Sequence, residues 1–173
     1  IHYEAPPSTR VAGEMAALIS WLHSTGPEGA TPLPALSRAG IAHLWFETIH
    51  PFEDGNGRIG RAVIEKILAQ GLSAPVITGT ATTLLAHRKA YYLELERANG
   101  DLDVTDWLIW FAAKVIAAQR HTLKLIAFIV DKSRIFERHG VRLNHRQDKA
   151  LRRLFDAGPD GFKGGLSAAN YMT

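Results

Sequence analysis

Residues 50–61, His-Pro-Phe-Glu-Asp-Gly-Asn-Gly-Arg-Ile-Gly-Arg, hold the densest reactive chemistry of this 173-residue chain. One imidazole, two carboxylates, one amide, two guanidinium groups and three glycines lie within this stretch. Apolar residues at helical spacing precede and follow it, which predicts a helix, a loop and a second helix. The second helix, predicted to begin at Gly57 or Arg58, would present unpaired backbone N–H groups and its positive dipole end to the loop.

The loop residues fit a site for a polyphosphate. Gly55 and Gly57 let the backbone approach an anion closely, and Asn56 can add a side-chain amide donor. Arg58 and Arg61 are three residues apart, so both guanidinium groups lie on the first helical turn. The pattern therefore predicts an anion site formed by backbone amides and two arginines.

A base and a metal ligand flank this anion site. Asp54 offers the carboxylate oxygen that Mg²⁺ prefers, and His50 can accept a proton from a hydroxyl near neutral pH. Their order along the chain predicts phosphoryl or nucleotidyl transfer. Each feature alone also has a structural interpretation: a His-Pro helix end, a turn at 54–57, or a surface pair between Arg61 and Glu65.

Helical spacing of apolar residues continues along most of the chain and predicts a nearly all-α fold. Residues 1–4 alternate like a short strand, and Ser167 resembles a new helix start. The predicted helices run from a Ser8 or Thr9 cap to Gly26, from Pro34 to His50, from Gly57 to Gly71, over 81–98, from Asp103 towards His139 in one or two helices, and onward from a capping box at Asn144 and Gln147.

The composition is that of an ordinary globular protein. Apolar residues make up 46% and charged residues 21%, and the net charge of +3 permits anionic ligands without indicating nucleic acid. The absence of cysteine excludes disulfides and fits a reducing compartment, so we expect a cytoplasmic protein. The apolar run 123–130 is too short to span a bilayer, and no membrane association is predicted.

The loop matches the motif of Fic (Fic/Doc-type) domains, His-x-Phe-x-(Asp/Glu)-Gly-Asn-Gly-Arg-x-x-Arg, at every fixed position. Pro6-Pro7, the run 42–46 and the later Arg88, Tyr91-Tyr92 and Leu95-Glu96 also resemble that family, over about residues 1–138. The resemblance implies a Fic-type helical bundle with a short N-terminal strand. It implies transfer of AMP from ATP to a hydroxyl side chain of a target protein.

The resemblance also implies roles for individual residues. His50 would deprotonate the Ser, Thr or Tyr hydroxyl, Phe52 would be buried as the anchor of the loop, and Asp54 would hold Mg²⁺. The nucleotide would be bound by Gly55, Asn56, Gly57, Arg58, Arg61, Tyr92 and Asn99, with Arg61 on the γ-phosphate and the last two near the adenine.

Two positions refine this expectation. The phosphotransferase branch of the family has a lysine at the position of Gly57, so glycine there favours AMP transfer. Residues 24–29 match the spelling of the family's inhibitory helix motif, (Ser/Thr)-x-x-x-Glu-(Gly/Asn). Because Gly26-Pro27 interrupts it, we expect no inhibitory helix there and place any such helix outside this chain.

Residues 139–173 resemble the opening helices of a winged-helix module. Five basic residues between Arg142 and Arg153 leave open either nucleic-acid contact or a solvated face, and the second is favoured because no recognition helix or wing is complete.

Two other functions stay open: a nucleotide-sensing DNA-binding regulator and a de-AMPylating phosphodiesterase. His43 and His50 share a helix face, but a core histidine is favoured over a metal pair at His43.

Overall fold

The structure, a computed structural model, describes residues 4–72, 79–100 and 103–161. All regular structure in these ranges is helical, which confirms the predicted all-α class. Of the strand predicted at 1–4, residues 1–3 lie outside the described residues and Glu4 has no regular structure; the predicted helix start at Ser167 also lies outside them. The helices are α1 Ser8–Ser24, α2 Ala35–Ile49, α3 Asn56–Leu72, α4 Thr80–Ala86, α5 Arg88–Ala98, α6 Thr105–His139 and α7 His145–Asp156, with a 3₁₀ turn at Gly140–Arg142.

The chain divides into two compact units, Ile1–Gln119 and Arg120–Thr173. The first unit contains helices α1 to α5 and the start of α6, and with them the loop of residues 50–61. The predicted Fic-type domain, 1–138, and the winged-helix-like segment, 139–173, stay predictions. In the described residues, no helix combines the length and apolar character that a bilayer span requires.

Helix α2 is the centre of the first unit. Eight of its fifteen residues are buried, as expected for a helix whose apolar residues point in several directions. It packs against α1 and α3. At Gly40 the missing side chain leaves room for Leu108 and Phe111, and the indole N–H of Trp107 donates to the Gly40 carbonyl at 2.9 Å. Helix α2 thus fixes the start of the loop from inside the core.

Two predicted helix boundaries are wrong for identifiable reasons. Helix α1 begins at Ser8 itself after Pro7, and no side chain caps it, because a proline before the first turn already presets the entry into the helix. Gly71 does not end α3, which runs on to Leu72. A Cβ at Gly71 would collide with the Cβ of Ala35, so this glycine serves the close approach of α3 to the start of α2.

The later helices differ from prediction in number. The predicted helix over 81–98 is two helices, separated at His87, where the backbone leaves helical geometry and the ring Nδ1 lies 2.9 Å from the Thr83 carbonyl oxygen. From Thr105 to His139 the chain forms one helix. The capping box is confirmed, since Asn144 and Gln147 exchange both hydrogen bonds at 2.9 Å.

In the second unit, Phe155 of α7 packs against Phe128 and Phe136 of α6. Arg152 bonds Asp148 at 2.8 Å and lies over the Phe136 ring. Exposed basic residues follow the same stretch: Arg142, Arg146, Lys149, Arg152 and Arg153. Their exposure fits a solvated face, and nucleic-acid contact through them stays an untested prediction.

Arg38 joins three elements of the first unit and is only 4% exposed. Its Nη2 donates to the Leu22 carbonyl at the end of α1, its Nε to the Thr25 hydroxyl, and its Nη1 to the Gln70 amide oxygen of α3. The carbonyl end of α1 carries partial negative charge, which helps to compensate the buried cation. The residue therefore holds the turn after α1 against α2 and α3.

Replacing Arg38 with alanine should lower the free energy of unfolding by about 2–4 kcal/mol, because three acceptors lose a buried charged donor. Urea unfolding followed by circular dichroism measures this. Arg10→Ala is the matched control, since Arg10 makes only an exposed pair with Glu14 and should change stability by about 0.5 kcal/mol or less. Equal effects of the two substitutions would contradict the role of Arg38.

Candidate active-site loop

His50 ends α2 in a left-handed conformation, with φ 50° and ψ 55°, and its N–H donates to the Phe46 carbonyl at 3.0 Å. Among the described non-glycine residues it alone has a positive φ. Pro51 excludes the right-handed helical region for the residue before it, which explains the predicted stop at this position. Such a conformation costs roughly 1–3 kcal/mol and leaves the imidazole exposed at the mouth of the loop.

The side chain of Asn56 joins the two ends of the turn at residues 52–56. It is 3% exposed, its Oδ1 accepts from the Phe52 N–H at 3.0 Å, and its Nδ2 donates to the Phe52 carbonyl. The side-chain amide expected as a donor to a ligand therefore makes a bond inside the loop. Asn56 also lies at the start of α3, where the backbone N–H groups have no partner within the helix.

The position of Phe52 differs from the one that the family resemblance implied. It was expected to be buried as the anchor, yet 47% of its surface is exposed and its ring rests beside that of Phe46, with centroids 6.4 Å apart. Phe46 is 2% exposed and already fills the core beneath the loop. The anchoring is instead polar and comes from Asn56.

Asp54 and Arg58 face solvent together. Asp54 Oδ1 accepts from the Gly55 N–H at 2.7 Å and Oδ2 from Arg58 at 2.8 Å. The two side chains are 91% and 72% exposed, so their pair is worth about 1 kcal/mol or less and can be exchanged for a ligand. Asp54 retains free lone pairs for a cation, and Arg58 retains free donors for a phosphate.

The described residues contain no cluster of three or more ligands for a resident metal. Mg²⁺ in nucleotide sites is ordinarily held by one or two carboxylates together with the substrate phosphates. The exposed Asp54 carboxylate fits that mode, and its metal role stays a prediction.

Two glycines of α3 control the space around Arg61. A Cβ at Gly57 would lie 3.1 Å from Arg61 Nη1, so the glycine leaves room for the guanidinium over the first turn. A Cβ at Gly60 would collide with Glu47 Oε1 and lie 3.0 Å from the His43 ring. Gly60 thus lets α3 approach α2 beneath the loop, a function that sequence reasoning missed.

His43 lies in the core, as the favoured interpretation predicts. It is fully buried, its Nε2 is 2.9 Å from the Tyr91 hydroxyl, and Trp107 and Phe111 stack near its ring. Burial lowers the pKa of His43 to about 4, an effect that the Gly60 backbone partly offsets and the charge of Arg61 reinforces. The imidazole is therefore neutral at physiological pH.

Glu47 also lies beneath the loop, and sequence reasoning missed it. Burial raises the pKa of its carboxyl group, against the opposing charges of His50 and Arg61. Its Oε1 is buried with no hydrogen-bond partner among the described residues. The available signal was the 43, 47, 50 spacing, which places three titratable groups on one helix face.

The two residues expected near the adenine, Asn99 and Tyr92, have different surroundings in the structure. Asn99 follows α5, and its Oδ1 lies 3.0 Å from Thr48 Oγ1, two residues before His50. Tyr92 is 55% exposed, and its described contacts are the Tyr91 ring at 5.2 Å and the Arg88 guanidinium at 5.6 Å. The structure therefore places Asn99 at the last turn of α2 and Tyr92 beside Tyr91.

An exposed imidazole, an exposed carboxylate and two arginines lie around the first turn of α3, and a helix N-terminus of this kind suits an anion. The sequence model of the Fic/DOC family matches residues 1–68. A crystallised Fic family protein from Desulfovibrio desulfuricans superposes with a TM-score of 0.59 at 29% identity, over 97% of this chain and 43% of that one. Residues 1–68 are thus similar to the Fic/DOC family, and the chain is similar in fold to a crystallised Fic family protein.

Curated relatives match the same region. Protein adenylyltransferase fic-1 of Caenorhabditis briggsae is 36% identical over 93 residues, which is 53% of this chain and 17% of the relative. Protein adenylyltransferase Fic of Nematostella vectensis is 37% identical over 90 residues, 51% of this chain and 19% of the relative. The matched part is thus less than a fifth of the length of either relative.

Gly60→Ala should destabilise the fold by about 1–3 kcal/mol, because the new methyl group collides with the Glu47 carboxylate and the His43 ring. Gly13→Ala is the matched control in α1, where a Cβ meets nothing within 4 Å and should stabilise by about 0.5–1 kcal/mol. Chemical unfolding of both variants measures the difference, and a neutral Gly60→Ala would contradict the close packing.

The free energy of unfolding should fall as the pH is lowered from 6.5 to 4, because His43 is buried in its neutral form. The unfolded imidazole takes up a proton near pH 6.5, whereas the buried one resists until about pH 4, so the unfolded state binds more protons in this window. The difference between these two pKa values corresponds to a loss of about 3 kcal/mol in the free energy of unfolding. Glu47 acts in the opposite direction because its pKa is raised.

The test is the pH dependence of the unfolding free energy in His43→Gln, which can still hydrogen-bond Tyr91. This variant should lose less stability on acidification than the wild type does. An unchanged slope would show that the buried histidine is not the source.

Proposed function

We propose that this chain transfers AMP from ATP to a Ser, Thr or Tyr hydroxyl of a target protein. The observation that carries the proposal is the arrangement around the loop: the exposed imidazole of His50 ends α2, and the N-terminus of α3, bearing Arg58 and Arg61, begins six residues later. The adenylyltransferase names of the relatives that match this region support it.

In the proposed reaction His50 accepts the proton of the target hydroxyl. The hydroxyl oxygen forms a bond to the α-phosphorus, and the bond from that phosphorus to the bridging oxygen breaks, releasing pyrophosphate. The backbone N–H groups at the start of α3 offset the negative charge that develops on the phosphate oxygens. Arg58 joins them when it exchanges its exposed pair with Asp54 for the nucleotide.

Asp54 would hold Mg²⁺, which when bound neutralises phosphate charge and favours departure of the pyrophosphate. Arg61 would bind the γ-phosphate, and the absence of a side chain at Gly57 leaves it the room to do so. We propose Asn99, beside Thr48, as the group nearest the adenine, with Tyr92 as a second contact. The target itself would be recognised by surfaces that the sequence does not identify.

The test is incubation of the chain and Mg²⁺ with cell lysate and either α- or γ-labelled ATP. Protein should take up the α-label and not the γ-label, and His50→Ala should reduce the rate about 100-fold or more, because the general base is lost. His121→Ala, at an exposed histidine outside the loop, is the matched control.

Three results would contradict the proposal. Uptake of the γ-label would indicate phosphate transfer, and full activity of His50→Ala would remove the base. Loss of label from a pre-labelled target without added nucleotide would identify the de-AMPylating reaction instead.

A further inference from the structure

A cavity of about 740 Å³ lies within the first unit, between the second half of α1, the turn that follows it, the start of α2 and the middle of α3. Its walls are mostly apolar and include Ile19, Leu22, Val63 and Ile67. Pockets that bind small molecules enclose roughly 300–1,000 Å³. The cavity is therefore large enough for a small molecule with an apolar body.

This cavity is separate from the loop of residues 50–61. Among the described residues that line it, none belongs to the loop. The lining residues of α3 run from Val63 to Gln70 and share one face of that helix. Val63 lies about 200° around the helix from Arg61, so this face points away from the proposed nucleotide site. The cavity thus has no part in the reaction proposed above.

Arg38 lines the cavity and is a buried cation whose hydrogen-bond partners are all neutral. They are the Leu22 carbonyl, the Thr25 hydroxyl and the Gln70 amide oxygen, and no carboxylate of the described residues pairs with the guanidinium. Arginine is rarely buried to this degree unless an acid accompanies it. Burial lowers the pKa of Arg38, as expected for a cation that has lost water without gaining an anionic partner. The surroundings of Arg38 therefore lack a negative charge.

The polar groups still available beside Arg38 are hydrogen-bond donors. A guanidinium has five N–H groups, of which the three bonds use three, so two remain. Gln70 turns its amide oxygen to Arg38, which leaves its NH₂ group as a further donor. Two guanidinium N–H groups are the number that a carboxylate accepts through its two oxygens. The donors thus match a carboxylate.

Three other titratable groups line the cavity, and all three are exposed: His23, Glu28 and Lys66. Lys66 adds a positive charge to that of Arg38. Glu28 is the one carboxylate among the described lining residues, and it forms no ion pair with either cation. The balance of fixed charge therefore favours an anion.

We propose that this cavity binds a small carboxylic acid with an aliphatic or aromatic body. The carboxylate accepts hydrogen bonds from Arg38, and the body lies against the apolar walls that α1 and α3 provide. The site goes beyond the proposed function and does not rest on it.

The experiment is calorimetric titration of the whole chain with octanoate, 1-octanol, octylammonium and acetate. Octanoate should bind about ten-fold more tightly than the alcohol or the amine, because only the carboxylate makes charge-assisted bonds with the guanidinium. Acetate has the same headgroup without the apolar body and should bind about ten-fold more weakly or worse. ATP with Mg²⁺ should not displace octanoate, because the loop is not part of this site.

Backbone amide NMR shifts locate the bound octanoate. The largest changes should fall in residues 19–29 and 63–70, which contribute most of the cavity wall. The largest changes in α7 would place the ligand elsewhere and overturn the proposal.

Two substitutions at exposed positions test the charge balance. Lys66→Gln should weaken octanoate binding about two- to three-fold, and Glu28→Gln should strengthen it by a similar factor, since exposed charges are screened. Lys89→Gln is the matched control, because it makes the same chemical change at an exposed lysine of α5 outside the cavity. Its octanoate affinity should equal that of the wild type.

Two further substitutions test the headgroup contact. Arg38→Ala should remove the preference for octanoate over octanol, with circular dichroism to show that the variant is folded. Gly26→Ala tests the same contact should Arg38→Ala not fold. Its new Cβ would lie 3.5 Å from Arg38 Nη2, an ordinary contact that covers part of the guanidinium without a collision. It should weaken octanoate binding about five-fold at an unchanged free energy of unfolding.

Several results would overturn the proposal. Octanoate affinity weaker than about 10 mM is one, and equal affinities for octanoate and octanol is another. Equal affinities for octanoate and acetate would show a site for simple anions only. Displacement of octanoate by ATP, or wild-type octanoate affinity in Gly26→Ala, would also place the ligand away from Arg38.

Discussion

The two hydrogen bonds between the Asn56 side chain and the backbone of Phe52 are the constraint on which the loop depends. A loop that presents backbone amides to an anion cannot satisfy those amides internally, so its shape must be set from elsewhere. Asn56 does this from inside the fold, where it is buried and its amide oxygen and amide nitrogen each make one of these bonds. His50 at one end and α3 at the other then have little freedom to separate.

The close packing of α2 against α3 beneath the loop also serves to set the shape of the loop. Helices α2 and α3 must approach closely if a short loop is to join them with its polar groups outward. Gly71 and Gly60 provide this by omitting side chains opposite Ala35 and the pair of His43 and Glu47. In the polar layer so enclosed, burial keeps His43 neutral and raises the pKa of the Glu47 carboxyl. The close approach of α2 and α3 thus places two titratable groups beneath the loop.

The loop also shows that a motif does not determine which of its side chains are buried. The side chains of His50, Asp54 and Arg58 are exposed. Phe52 and Asn56 exchange the places expected of them, because the core site below was already filled by Phe46 and the loop backbone needed polar partners. Burial follows from competition for space, which no motif records.

The sequence by itself determined the helical class, the helix–loop–helix join and the stop before Pro51, because periodicity and proline stereochemistry act locally. It also determined the capping box at Asn144, a contact between residues three apart. Only the tertiary structure decided that His43 is neutral, that Glu47 lies under the site and that Asn99 reaches Thr48. Those outcomes depend on which distant helix covers each face of α2, and the physical reason is that burial and charge proximity are set by packing rather than by neighbours along the chain.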